Sequence, residues 1–218
     1  MEILELNLLS NSLSDTKNFY QNTIGFNLRE ETQHHLSFDV GSSILRFDLV
    51  DAIQKPTYHF AFTIPSNKIN EAMAWTLKRT PLIEHDDKTL LTNFDDWKAK
   101  AIYFFDNNQN IVEFISRADL NNPDDNPFSI ESIISISEVG LVTDFPIQLG
   151  NEIIEKTQIT FFEKGPKRED FAAVGNDTGL FVISNPNRNW YPTKQQAQPW
   201  KVKTKIRSNK KDYDLEFN

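Results

Sequence analysis

Three times along this chain a strand-like run leads into one amphipathic helical stretch and then into further strand-like runs, and this repeated order limits the fold more than any other feature. In the first copy, residues 3–9 alternate in part and are rich in aliphatics, as a strand requires. Ser12, Ser14 and Asp15 then offer helix N-caps, Phe19, Tyr20 and Ile24 follow at helical spacing, and Gly25 stands where a helix stops. Residues 26–31, 35–40 and 43–50 read as three strands. The order restarts with a strand at 58–64 and a helix after Pro65 that places Ile69, Met73 and Leu77 on one face. The polar stretch 84–100 carries at least one short strand, and strands at 101–105 and 111–116 are joined by Asp106-Asn107-Asn108-Gln109-Asn110, which is hairpin-turn chemistry.

A linker rich in Asn, Asp and Pro spans 121–126. The third copy has a strand at 136–142, a helix opened by Asp144 and Pro146, and strands at 158–162, 171–174 and 180–184. Residues 201–207 alternate basic and apolar side chains, which suits a protected edge strand, and the polar tail from 208 is expected to fray. Repeats near 50 residues often build solenoids or propellers. One helix and several strands per unit fit a helix laid on a curved sheet better. The expected fold is α+β: βαβββ modules forming cupped, mixed and mostly antiparallel sheets, with helices on the outer face. Residues 1–120 are expected to hold two paired modules, and 121–218 a third with an extra C-terminal strand. An odd module needs a partner, either the C-terminal strand or a second subunit, so a homodimer is expected.

Composition narrows the function. The formal net charge of −8 speaks against binding nucleic acid or an anionic membrane. No run approaches the ~20 apolar residues of a membrane span, and the first residues lack the pattern of a secretory signal. With no cysteine there is no thiolate nucleophile and no zinc–thiolate site, and a cytoplasmic location is expected. Seventeen phenylalanines suit strands and an apolar pocket equally. Phosphate-cradling glycine loops, dinucleotide fingerprints and Gly-x-Ser-x-Gly elbows are all missing.

Three segments carry a resemblance. Asp15, Phe19 and Tyr20 with Ile24-Gly25-Phe26 resemble the opening of a vicinal oxygen chelate module. Tyr58-His59-Phe60-Ala61-Phe62 is similar to the strand that opens a second module, and Tyr103-Phe104-Phe105-Asp106 through Glu113-Phe114 to its closing hairpin. Asn107 and Gln109 stand where the family has Pro and Gly, and Glu5 where it has an opening His. Ser137-Glu138-Val139-Gly140-Leu141 puts Glu138 at the third-module counterpart of Glu5, with no obvious third-module counterpart of Glu113. Arg188-Asn189-Trp190-Tyr191-Pro192 resembles a segment of family members with extended C-termini.

The resemblance implies a divalent metal held by His59 and Glu113, with Glu5 as third ligand or as a general base beside the metal. A further ligand position falls near Arg46, and Asp48 shares its face. One imidazole with two carboxylates suits Fe²⁺, Mn²⁺, Ni²⁺ or Zn²⁺. The implied activity is that of a glyoxalase- or dioxygenase-like metalloenzyme, a lyase, isomerase or ring-cleaving dioxygenase, that binds a small oxygenated substrate bidentately. The alternatives are a non-catalytic drug-binding protein of the bleomycin-resistance type and a structural or regulatory relative. Arg46 in a metal-free cluster with His59 and Glu113 is the competing account of the site. His34, His35 and Trp75 are expected to be structural, His85 to lie in a solvated loop, and Trp190, Tyr191 and Trp200 to pin the tail rather than cap the cleft.

Overall fold

Each module begins with a strand that must bury one or both faces, and the strands differ in how many. The computed structural model describes residues 1–51 and 54–218. The first module comprises β1 (Glu2–Ser10), α1 (Leu13–Lys17) running into a π-helical stretch (Asn18–Ile24), β2 (Asn27–Glu31), β3 (His35–Val40) and β4 (Ser43–Leu49). The Ser12 hydroxyl accepts from the Asp15 N–H and so caps α1. Gly25 ends the helix at φ 99°, a conformation that favours glycine, and donates its N–H to the Tyr20 carbonyl. The second module is β5 (His59–Ile64), α2 (Ile69–Leu77), β6 (Thr92–Phe94), β7 (Ala99–Phe105) and β8 (Ile111–Arg117). The third is β9 (Ser135–Val142), α3 (Pro146–Thr157), β10 (Lys167–Arg168), β11 (Phe171–Asn176) and β12 (Gly179–Ser184), followed by the hairpin β13 (Val202–Ser208) and β14 (Lys211–Phe217).

Two sheets result. One has eight strands in the order β10-β11-β12-β9-β5-β8-β7-β6, and the other six in the order β14-β13-β1-β4-β3-β2. The seam of the larger sheet is the antiparallel pair β5–β9, so the second and third modules share a cup. This corrects the expected pairing of the first module with the second, and the sheets do not divide the chain at residue 120. The reason lies in the strands. All six residues of β5 are buried, and so are six of the eight in β9, so each needs cover on both faces. β1 alternates buried and half-buried residues over most of its length, which suits a sheet with one open face. Its antiparallel neighbour is β13, so the odd module finds a sheet partner within the chain.

The sheets meet through an aromatic core. Phe60, Phe62 and Phe114 of the larger sheet join Leu6, Leu8, Phe38 and Phe47 of the smaller one, with Tyr20 among them. The far face of the larger sheet carries a second cluster, including Ala61, Ala101, Tyr103, Ile115, Val182 and Trp190. This second face is the inside of the cup.

Several local expectations are corrected. On α2 the inward residues are Ile69, Ala72 and Thr76, whereas Leu77 is exposed. Residues 158–162 form no strand: Gln158 ends α3 at φ 57°, and only Phe161 bridges to Val174. β13 is not an edge, because the tail folds back as β14. Lys203, Lys205 and Arg207 stand opposite Glu216, Asp214 and Asp212 on one face of this hairpin, with Thr204 opposite Leu215 and Val202 opposite Phe217 on the other. The acids and apolar residues of β14 alternate as those of β13 do, and that alternation stabilises a hairpin. Among the described residues no helix is long and apolar enough to cross a membrane.

Candidate metal centre

The site is built from equivalent positions of the second and third modules. β5 and β8 run parallel with His59 opposite Ile111, so Glu113 lies two residues further on and on the same face. β9 and β12 repeat this arrangement with Glu138 opposite Leu180. The antiparallel seam sets Glu138 beside Ala61, and the three side chains converge. One ligand atom each from His59, Glu113 and Glu138 lies within 4.8 Å of the other two. By the same count, Val182 occupies the third-module counterpart of Glu113. The centre therefore has three donors and a fourth, apolar corner.

His59 is nearly fully buried, and its Nδ1 lies 3.2 Å from the Ile111 carbonyl oxygen. A carbonyl only accepts, so Nδ1 carries the proton and Nε2 presents a lone pair. Nε2 stands 3.5 Å from Glu113 Oε2. Burial lowers the His59 pKa, partly opposed by Glu138 and the Ile111 carbonyl, so the imidazole is neutral. Burial raises the Glu113 pKa; the charge of Glu138 adds to this, and Arg117 and a hydrogen bond from Tyr103 oppose it. The Tyr103 phenol is pushed well above its ordinary value, first by burial and then by the two glutamates.

Arg117, four residues after Glu113 on β8, is completely buried and donates to Glu138; its Nε lies 3.5 Å from Asp177. The floor of the cup thus sets two buried carboxylates and a neutral imidazole against one guanidinium. His59, Glu113 and Glu138 turn one ligand atom each toward a common point, an arrangement that a divalent cation satisfies and that would favour the ionised form of Glu113. The Nδ1–carbonyl bond is the orientation that metal-bound histidines commonly have.

The cleft above is about 260 Å³ and is walled by rings. Trp190 lies 5.3 Å from the His59 ring between centroids, and Tyr191 meets Tyr103, Phe94 and His85 at 5.6–6.0 Å. Trp190 and Tyr191 therefore wall the cleft, which corrects the expectation that they pin the tail, and His85 packs against the rim rather than standing in solvent. Trp190 fits because Gly140 lies beneath it; a Cβ there would come within 2.7 Å of the indole.

The remaining sequence candidates lie elsewhere. Glu5 is on β1, in the other sheet, opposite Lys205, and lines a different hollow with Asn7, Lys203, Asp214 and Glu216. Arg46 and Asp48 are on β4 of that sheet and pair with each other, Nε to Oδ1, at 2.8 Å, while Asn7 donates to Asp48. Glu5 is therefore not the third member of the His59 cluster, and Arg46 is not its cation: those places are held by Glu138 and Arg117. The physical reason is the pairing of β5 with β9 instead of with a strand of the first module. Arg117 was missed although a charge in an otherwise apolar strand, on the same face as Glu113, was there to be read. His35 is structural, 3.1 Å from Glu30.

No family model matches the chain, and no curated protein is similar to it in sequence. Solved structures are similar to it in fold. A Bacillus subtilis protein described as a candidate dioxygenase superposes with TM-score 0.62 at 14% identity, over 84% of this chain and 63% of its own. The chain has the vicinal oxygen chelate fold. It spans less than two thirds of that structure's length. Within the same fold, a glyoxalase/bleomycin resistance protein/dioxygenase from Alicyclobacillus acidocaldarius matches at TM-score 0.44 and 18% identity, over 55% of this chain and 94% of its own. A fosfomycin resistance protein, FosX, from Listeria monocytogenes, complexed with Mn(II) and 1S,2S-dihydroxypropylphosphonic acid, matches at 0.41 and 18%, over 54% and 90%.

Proposed function

We propose that this chain is a metal-dependent enzyme acting on a small oxygenated molecule, with His59, Glu113 and Glu138 as the metal's protein ligands. The observation that carries the reading is the Nε2 lone pair of a neutral, buried His59 facing a Glu113 oxygen at 3.5 Å, with Glu138 beside them. A divalent cation bound there would supply a Lewis acid to a substrate held through adjacent oxygens. The chain's own residues do the rest. Tyr103, directly opposite Glu113 across the β7–β8 pair, flanks that carboxylate, while Trp190 excludes water from the imidazole. The apolar corner at Val182 leaves room for substrate instead of a fourth ligand. Lyase, isomerase and dioxygenase chemistry all begin from such a centre.

The test is elemental analysis of protein purified without chelator, together with titration of Mn²⁺ and Zn²⁺ by calorimetry. One equivalent of metal is expected, with affinity lowered at least about tenfold in His59→Ala. A metal-free preparation that also refuses added metal would sink the reading. One observation favours a second reading: Arg117 already gives Glu138 a cation. A non-catalytic small-molecule binding protein would use the same aromatic cleft without metal, and its ligand-dependent thermal stabilisation would survive His59→Ala. A homodimer belongs to the proposal as well, and a monomeric mass by light scattering would remove it.

A further inference from the structure

The mouth of the cleft is charged differently from its floor. Arg168 on β10 and Arg188, just beyond β12, both line it. Both also turn to the same carboxylate: Arg188 Nη1 lies 2.5 Å from Asp170, and Arg168 Nε 3.9 Å from it. One aspartate shared by two guanidinium groups leaves one positive charge over, in a chain whose formal net charge is −8. Arg188 is also braced on the wall, its guanidinium carbon 5.1 Å from the centre of the Phe171 ring. Between mouth and floor the lining is aromatic, with Phe94, Trp97, Phe171 and Tyr191 prominent. At about 260 Å³ the cavity is near the lower end for small-molecule sites, which suits one ring and not two.

We infer that the mouth is an anion subsite and that the cleft takes a flat, single-ring acid, its carboxylate on Arg188 and Arg168 and its oxygenated edge toward His59. The inference rests on reading the cleft as the substrate site. Guanidinium groups suit this task because they meet a carboxylate through two parallel N–H donors. The flat ring is what the aromatic walls select.

Calorimetry on Mn²⁺-treated protein with 3,4-dihydroxybenzoate and 3,4-dihydroxybenzamide tests it. The probes share their adjacent oxygens and differ in charge at the opposite end. The acid is expected to bind about tenfold tighter than the amide or more, a difference of roughly 1.4 kcal/mol. Arg188→Gln should bring the ratio close to one by weakening the acid far more than the amide. Asp170→Asn should tighten the acid, because it frees the guanidinium groups, and a merely structural ion pair would not respond in that way. Equal binding of the two probes, a ratio that survives in the Arg168→Gln/Arg188→Gln double variant, or binding of neither would overturn the subsite. An Arg188-dependent ratio that persists unchanged in His59→Ala protein without metal would support the subsite and remove the metal reading. Metal uptake with no ratio would do the reverse.

Discussion

Arg117 exposes no surface to solvent and holds Glu138 from the floor of the cup. Removing it leaves two carboxylates and a neutral imidazole buried together. Arg117→Met is expected to destabilise the metal-free protein by about 3–5 kcal/mol, the usual cost of breaking a buried ion pair on one side. Added Mn²⁺ should restore much of that loss, since a divalent cation would supply the missing positive charge. Thermal melts with and without metal check this; a large loss that metal leaves untouched would mean that Glu138 serves the arginine alone. Part of this centre was legible beforehand. His59 and Glu113 sit within motifs whose order along the chain points to them. Glu138 was visible only as the counterpart of Glu5, because no local pattern says which module's opening strand lies beside β5. That choice is made by burial across whole strands, and it carried Glu5, Arg46 and Asp48 to the opposite sheet.

At the scale of elements, residues 188–197 form a strap. The Trp190 N–H donates to the Gln195 carbonyl and the Ala197 N–H to the Arg188 carbonyl, so the segment is held as a narrow loop. Its indole rests on β9 only because Gly140 has no side chain. Gly140→Ala is expected to lift Trp190 from His59, costing about 1–3 kcal/mol as an overpacked contact does. It should also shift tryptophan emission to the red and weaken metal uptake. Unchanged stability and emission would show that the ring gives way freely. The C-terminal hairpin makes a similar case. Its polar composition reads as a fraying tail, yet Leu215 is buried and Phe217 packs 5.5 Å from Phe181. Period-two alternation over seven residues was the available signal, and the eye is drawn to the charges instead. Truncation after Ser208 is expected to cost about 3–5 kcal/mol from these two side chains, read as a lower urea midpoint. The cross-strand ion pairs are exposed and add little.

At the scale of the whole molecule, two phenols join the sheets. Tyr20, packed behind the six-stranded sheet, donates to Asp106 at the end of β7 with a 2.7 Å bond. Tyr58, at the foot of β5, donates to the Lys201 carbonyl and accepts from the Leu9 N–H of β1. Burial pushes both phenols above their ordinary value, and for Tyr20 the carboxylate of Asp106 adds to the shift. An unfolded tyrosine ionises near pH 10, whereas these two keep their protons in the folded state. Above about pH 10 the folded chain therefore binds more protons than the unfolded one, and stability falls as pH rises. Each phenol contributes a slope of about 1.4 kcal/mol per pH unit, so the pair gives roughly 2.7. Because both bonds cross between the sheets, the loss is one of assembly and not of a single strand. Tyrosinate absorbance and far-UV circular dichroism, followed together from pH 9 to 12 (about two units beyond the ordinary phenol value), are expected to show part of the tyrosine signal rising only as the sheets are lost. Tyr20→Phe removes one phenol and its bond to a carboxylate. It should lower stability at neutral pH by about 1.5–3 kcal/mol and flatten the alkaline slope, to which the buried Tyr103 phenol also contributes, by about a third. Full ionisation of every tyrosine before any loss of sheet structure would show that the seam does not depend on these two hydroxyls.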